Sequence, residues 1–169
     1  RLGADAWELT GSVLLSGVSG SEAYLDGLRL APRHGFGRPD SVNVMPATLA
    51  PATSLTGLAA QLAASRTSGA LQGGLATRIV TRGFESNDIG FQRNADWLLV
   101  TGNWRYVTYR PGHLIRRWSA GSDQLGAGWT LGGLRRAAVA NLNGKMDFRN
   151  YWGLTLGLDR EFAADDPEA

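Results

Sequence analysis

The densest group of side chains that could do chemistry lies in the segment 83–91. Glu85 and Asp88 supply two carboxylates, and Asn87 supplies an amide between them. Carboxylate and amide oxygens bind cations and accept hydrogen bonds from sugar hydroxyls, so one hypothesis is a cation or sugar site in a loop. The alternative is a packed loop, because Asn and Asp side chains also cap turns through the nearby backbone. We favour the packed loop.

The remaining candidates for a base, a nucleophile or a metal ligand form no catalytic pattern. The two histidines, His34 and His113, have neither metal-ligand nor triad spacing. The chain has no cysteine, and the glycine-rich segment 126–133 lacks the Lys-Ser/Thr pair of a phosphate loop, so we interpret it as a loop or bulge. We expect a non-catalytic chain without cofactor or metal, although carboxylates paired in space, as in glycoside hydrolysis, are invisible in a sequence.

The elements that must position these residues follow from a period-two pattern between Leu55 and Arg160. Apolar and polar residues alternate there, and successive side chains of a strand point to opposite faces of its sheet. In the last strand one face carries Trp152, Leu154, Leu156 and Leu158, and the other carries Gly153, Thr155, Gly157 and Asp159. The pattern predicts an all-β fold, an antiparallel up-and-down meander with one apolar and one polar face.

About seven strands and one short helix account for the chain. The predicted strands are Ala6–Ser16, Leu55–Ser65, Leu71–Thr81, Trp97–Tyr109, Leu114–Leu125, a strand over 138–148, and Tyr151–Arg160. Ser21 is a good N-cap, so a helix over Glu22–Leu28 is expected inside the long N-terminal loop. Four prolines between Pro32 and Pro51 exclude a central strand from that loop.

The connections between the predicted strands are alternately long and short. The loops 17–53 and 82–96 are long, 126–134 is of medium length, and the turns 66–70, 110–113 and 149–150 are short. Outer-membrane barrels have short periplasmic turns and longer extracellular loops. The alternation therefore predicts that residues 1–169 are part of a transmembrane β-barrel.

In such a barrel the polar face lines the lumen and aromatic side chains lie at the membrane interfaces. The candidate lumen-facing residues are Arg105, Asn141, Asn143, Lys145 and Asp147. The candidate interface aromatics are Trp97, Tyr109, Trp118, Tyr151 and Trp152. The alternative is a soluble extracellular β-sandwich, in which these aromatics are core residues or bind carbohydrate.

The composition excludes some classes of protein and suits others. Charged residues make up only 19%, and there are 23 glycines and six tryptophans. Low charge suits a sheet that meets lipid on one side. The net charge of +2 comes from scattered basic residues, whereas nucleic-acid binding needs a concentrated basic face, so we expect no nucleic-acid partner. No run approaches the roughly eighteen apolar residues of a transmembrane helix.

Several ordered motifs resemble one family. The string Gly83-Phe84-Glu85-Ser86-Asn87-Asp88-Ile89-Gly90-Phe91 resembles the glycine–aromatic–glutamate–x–asparagine–aspartate–x–glycine–phenylalanine signature of barrels of domain of unknown function 5916. The segments 36–40 and 93–96 resemble its neighbouring motifs, with Asn94 in place of an arginine. The segments 141–144 and 148–152 resemble a hairpin of that family.

The resemblance implies a bacterial outer-membrane β-barrel that usually follows a domain similar to family 9 carbohydrate-binding modules. It implies no established reaction; some members are labelled hydrolases, and no residue here supports that label. We expect the chain to be an internal fragment that forms the wall and extracellular loops of a channel or receptor-like protein. Its expected partners are outer-membrane lipid, a saccharide or other small solute, and the rest of the same polypeptide, which would complete the barrel.

Overall fold

The computed structural model describes residues 7–37, 53–86, 92, 94–108 and 110–165. Seven strands pair in chain order as one antiparallel sheet, which confirms the predicted all-β meander. The strands are β1 (Trp7–Ser19), β2 (Ser54–Arg66), β3 (Leu71–Val80), β4 (Trp97–Thr108), β5 (Ile115–Trp129), β6 (Arg135–Phe148) and β7 (Gly153–Phe162). The sheet is not closed into a barrel: within the described residues β1 and β7 are its two edges.

The predicted N-terminal helix is present and slightly longer than expected. Helix α1 spans Glu22–Leu30, and the Ser21 side chain accepts a hydrogen bond from the Tyr24 backbone N–H, as an N-cap does. Leu25 is its buried residue. A single 3-10 turn, Pro32–His34, follows it and ends at Gly35. No helix in the described part of the chain is both long enough and apolar enough to cross a membrane.

The strand register separates an apolar face from a polar face. Paired residues lie on the same face, and the pairs Leu15–Leu58, Leu142–Leu158 and Met146–Leu154 follow one face across the sheet. The large side chains on this apolar face are exposed, for example 78% for Leu15. The other face is polar, and cavities of about 230 to 400 Å³ are lined mainly by its residues.

Strand β5 extends further than predicted, to Trp129, so the interpretation of 126–133 as a loop or bulge holds only in part: residues 130–133 lie in the connection, and the register with β6 shifts at Gly128 and Trp129. Gly126 pairs with Thr101 and Gly128 with Leu99, so both lie in the strand. A Cβ atom on Gly128 would lie 2.9 Å from the Trp97 indole, so a side chain there would displace the ring. The connection from β5 to β6 is consequently only 130–134. It is as short as the turns at the opposite end of the sheet, so the expected alternation of long and short connections fails at this position.

The connection between β3 and β4 folds back onto the polar face. Phe84 and Ala95 from this connection pack with Ala59 and Val80 in a small buried core. This packing positions Glu85, the described residue of the predicted loop site, against the end of the sheet.

Candidate functional site

Glu85, the one residue of the predicted loop cluster that lies in the described part of the chain, is the centre of a packed network. One carboxylate oxygen, Oε2, lies 2.9 Å from the Arg33 guanidinium and 3.1 Å from His34 Nε2. The Glu85 backbone N–H donates to Ser16 Oγ at 2.9 Å. The Glu85 side chain is only 8% exposed. These contacts agree with a packed loop, since the carboxylate faces the Arg33 guanidinium and the His34 ring inside the protein.

The hydrogen bonds of His34 restrict where its protons lie. The side chain is fully buried, and Nδ1 lies 2.6 Å from the backbone carbonyl of Arg82. A carbonyl oxygen can only accept, so Nδ1 carries a proton. Nε2 lies 3.1 Å from Glu85 Oε2, so both ring nitrogens have a polar partner in a buried position.

A second buried pair, Arg82 and Asp96, connects the same cluster to the β5–β6 connection. Arg82 Nε lies 3.0 Å from Asp96 Oδ1, and the Arg82 Nη2 group donates to Asp96 Oδ2 at 3.1 Å. Asp96 Oδ1 also accepts from the Leu131 backbone N–H at 3.1 Å. Asp96 is fully buried and has a φ of 58°, a left-handed conformation that Asp tolerates better than most residues. The cluster thus ties three connections together.

These contacts define what the loop cluster can do. Asn87 and Asp88, the other two predicted loop residues, lie outside the described residues. Within the described ranges no three His, Cys, Asp or Glu side chains lie close enough to hold a metal ion. The arrangement of Glu85, His34 and Arg33 stabilises loop packing, and its charges are already compensated by each other.

The predicted lumen-facing residues lie together on the polar face. Arg105 lies 3.2 Å from Asp123 Oδ1, and Asn143 donates to Asp123 Oδ2 at 2.6 Å. Lys145 lies 3.8 Å from Asp147. A cavity of about 340 Å³ is lined by the side chains of Arg105, Asp123, Asn143, Lys145 and Asp147. Asp123, which joins two of the predicted residues, is not among the candidates that the sequence indicated.

Asn141 has a structural task on that face. β5 carries one extra residue between Gly121 and Leu125 relative to β6, which makes a β-bulge. Asn141 Oδ1 accepts from the backbone N–H groups of Asp123 and Gln124, both at 2.9 Å. It also lies 2.9 Å from Ser122 Oγ, its third donor. The side chain therefore satisfies the backbone groups that the bulge leaves unpaired.

The predicted interface aromatics occupy different environments. Trp118 lies on the apolar face, with its ring 5.3 Å from that of Tyr106. Tyr151 and Trp152, in the β6–β7 turn, are 86% and 75% exposed. Trp97 lies on the polar face, because it pairs with Val80 on that face. Tyr109 lies outside the described residues.

Reasoning from the sequence missed His34, Arg82 and Asp96 as members of the loop cluster. His34 and Glu85 are 51 positions apart, and no local pattern connects them. The left-handed Gly35 that ends the 3-10 turn is a local signal for a tight turn, but it carries no information about the partner.

The comparisons with known proteins give one positive finding. The family model described as domain of unknown function, DUF5916, matches residues 40–165. No curated protein and no solved structure matches the chain. Because the matched region covers most of the seven-stranded sheet, from β2 to β7, the chain belongs to the DUF5916 family.

Proposed function

We propose that the chain forms part of the wall of a bacterial outer-membrane β-barrel, without a catalytic role of its own. The apolar face would contact lipid, and the polar face would line an aqueous lumen. The observation that carries the proposal is the exposure of large apolar side chains in the middle of the sheet. Leu142, on a strand with partners on both sides, is 52% exposed, whereas soluble monomers rarely expose large contiguous apolar patches.

The polar face supports the second half of the proposal. Charged and amide side chains such as Arg105, Asp123 and Asn143 are solvated or paired there, as a wet lumen allows. In this proposal the polar face lines the path of a small polar solute, for which a saccharide is the class that the family resemblance suggests. Further strands of the same polypeptide would pair with the β1 and β7 edges.

Single cysteines test which face meets lipid, because the chain has none of its own. Leu142→Cys and Asn143→Cys place the same thiol on opposite faces of β6. Each is labelled with an environment-sensitive fluorophore after the chain is refolded into phospholipid vesicles. We expect a blue-shifted emission that spin-labelled lipids quench at position 142 and a water-like, unquenched emission at position 143.

Two other outcomes would contradict the proposal. Equal lipid quenching at both positions would mean that the sheet does not separate lipid from water. A chain that stays soluble and monomeric without detergent, with position 142 shielded from lipid, would favour the soluble β-sandwich.

A further inference from the structure

A cavity of about 330 Å³ lies between the polar face and the connection that folds over it. Its floor comes from β3 and β4, and its roof comes from Phe84, Ser86, Gln92 and Asn94 of the β3–β4 connection. None of the residues that line it contributes to the charge network of the loop cluster. It is therefore a separate site.

One wall of the cavity is the indole of Trp97. The Arg136 guanidinium lies over this ring, 4.8 Å from its centroid, and Arg136 is only 9% exposed. Gly128 leaves the space into which the ring leans. The indole is held in position from the β5 and β6 side, so that the cavity is bounded by a fixed, flat apolar surface.

A cation faces the same cavity. Arg78 is exposed on the polar face, and it forms no ion pair that the described residues reveal. Arg78 pairs with Leu99, and the next same-face pair along the strands is Val80 with Trp97. Diagonal neighbours of this kind are roughly 7–8 Å apart, so one small molecule can touch both side chains. A guanidinium presents a planar set of donors that matches a carboxylate.

The roof supplies polar groups, and the Gln92 side chain is held there by hydrogen bonds. Gln92 donates to the Phe84 carbonyl at 2.8 Å and accepts from the Ser86 backbone N–H at 3.0 Å. The exposed amide of Asn94 also lines the cavity and can bond hydroxyl groups. A preformed cavity with an apolar wall and a few polar groups is the usual form of a small-molecule site.

We propose that this cavity binds a small ring compound that carries a carboxylate and hydroxyl groups. The flat side of the ring lies against Trp97, the carboxylate pairs with Arg78, and the hydroxyls face Asn94. The inference concerns a ligand site on the polar face and does not depend on whether the opposite face meets lipid. An experiment can therefore contradict the ligand site without contradicting the membrane proposal, and the reverse also holds.

Three probes separate the contributions of ring and charge. D-glucuronate has both a ring and a carboxylate, D-glucose has the ring alone, and acetate has the carboxylate alone. Binding to the refolded, 15N-labelled chain is followed by the indole N–H signal of Trp97, assigned by its absence in Trp97→Phe. We expect saturable shifts of this signal with glucuronate, and at least tenfold weaker binding of the other two probes.

Matched variants test the role of the cation. Arg78→Gln should weaken glucuronate binding at least tenfold, about the effect of losing one charge-assisted hydrogen bond, and leave the weak glucose binding unchanged. Arg117→Gln, on the same face but outside this cavity, should leave both unchanged. Equal glucuronate binding by Arg78→Gln and the unmodified chain would overturn the proposal. So would an equal loss in Arg117→Gln, or no shift of the Trp97 signal with any probe.

Discussion

Glu85 is the residue on which distant parts of the chain converge. Its side chain binds Arg33 and His34 from the first connection, and its backbone N–H donates to Ser16 at the end of β1. A charged side chain that is 8% exposed is tolerated only when opposite charges and hydrogen bonds compensate it. Glu85 therefore links the first connection to β1 and to the β3–β4 connection.

Glu85→Gln tests this role while keeping the shape of the side chain. The amide carries no negative charge to pair with the buried side of the Arg33 guanidinium, so the free energy of unfolding should fall by about 2–3 kcal/mol. The measurement is urea unfolding of the refolded chain, followed by tryptophan fluorescence. Asp159→Asn, at an exposed carboxylate of β7, is the control and should change stability by less than about 0.5 kcal/mol. Equal stability of the two variants would mean that the network contributes nothing.

At the scale of elements, the bulge in β5 depends on one amide. Asn141 Oδ1 receives two backbone N–H groups and one hydroxyl, whereas Asn143 makes a single exposed bond to Asp123. Both side chains lie on β6 and on the same face. Their different tasks make them a matched pair for mutation.

Asn141→Ala should lower the free energy of unfolding by about 1–3 kcal/mol, because it leaves backbone donors of the bulge without an acceptor. Asn143→Ala should cost less than about 1 kcal/mol. Urea unfolding measures the stabilities, and amide hydrogen exchange at Asp123 and Gln124 reports the local effect. The assignment fails if exchange at these two amides is the same in both variants.

The contact between β2 and the β3–β4 connection is a second constraint at this scale. A Cβ atom on Gly57 would overlap the backbone of Phe84, and one on Gly83 would overlap the Thr56 carbonyl. Two glycines thus allow the connection to lie directly on the strand. This approach brings Phe84 into its buried core.

Gly57→Ala should destabilise the chain by about 1–3 kcal/mol, because the backbone of the connection must shift. Gly157→Ala is the matched control: it is also a strand glycine, but nothing lies within 4 Å of its added Cβ. Thermal unfolding of both variants gives the comparison. A loss as large in Gly157→Ala would show that the effect comes from glycine replacement in a strand and not from the contact.

The strands and the helix could be predicted from the sequence because their signals are local. The period-two pattern identifies a strand and its faces, and Ser21 marks the start of α1. The end of β5 is not evident from the sequence because glycines at 126 and 128 normally weaken a strand, and the reason for Gly128, the Trp97 ring, lies on another strand. The contact between His34 and Glu85 could not be predicted either, because the two residues are 51 positions apart in the sequence.

For the whole molecule, the distribution of exposed apolar and polar side chains over the two faces is the opposite of that in a soluble sheet. Large apolar side chains are exposed on one face, including Leu9 at 72% and Leu156 at 61%, while the polar face carries the cavities and the folded connection. In water this arrangement leaves the hydrophobic effect unsatisfied. In lipid the exposed apolar side chains carry no such cost. The proposed membrane location would therefore explain both the apolar and the polar face of the sheet.

Neighbouring positions on β6 measure this difference energetically. Leu142→Arg puts a guanidinium on the apolar face near the middle of a central strand, and the membrane proposal predicts a loss of about 2–4 kcal/mol in folding free energy in phospholipid vesicles. Asn143→Arg adds the same side chain to the polar face, where water solvates it, and should cost less than about 1 kcal/mol. Folding into vesicles over a urea series, followed by tryptophan fluorescence, gives both values. Equal costs at the two positions would contradict the membrane proposal. Lipid that contacts the apolar face alone should penalise a charge at position 142 much more than a charge at position 143.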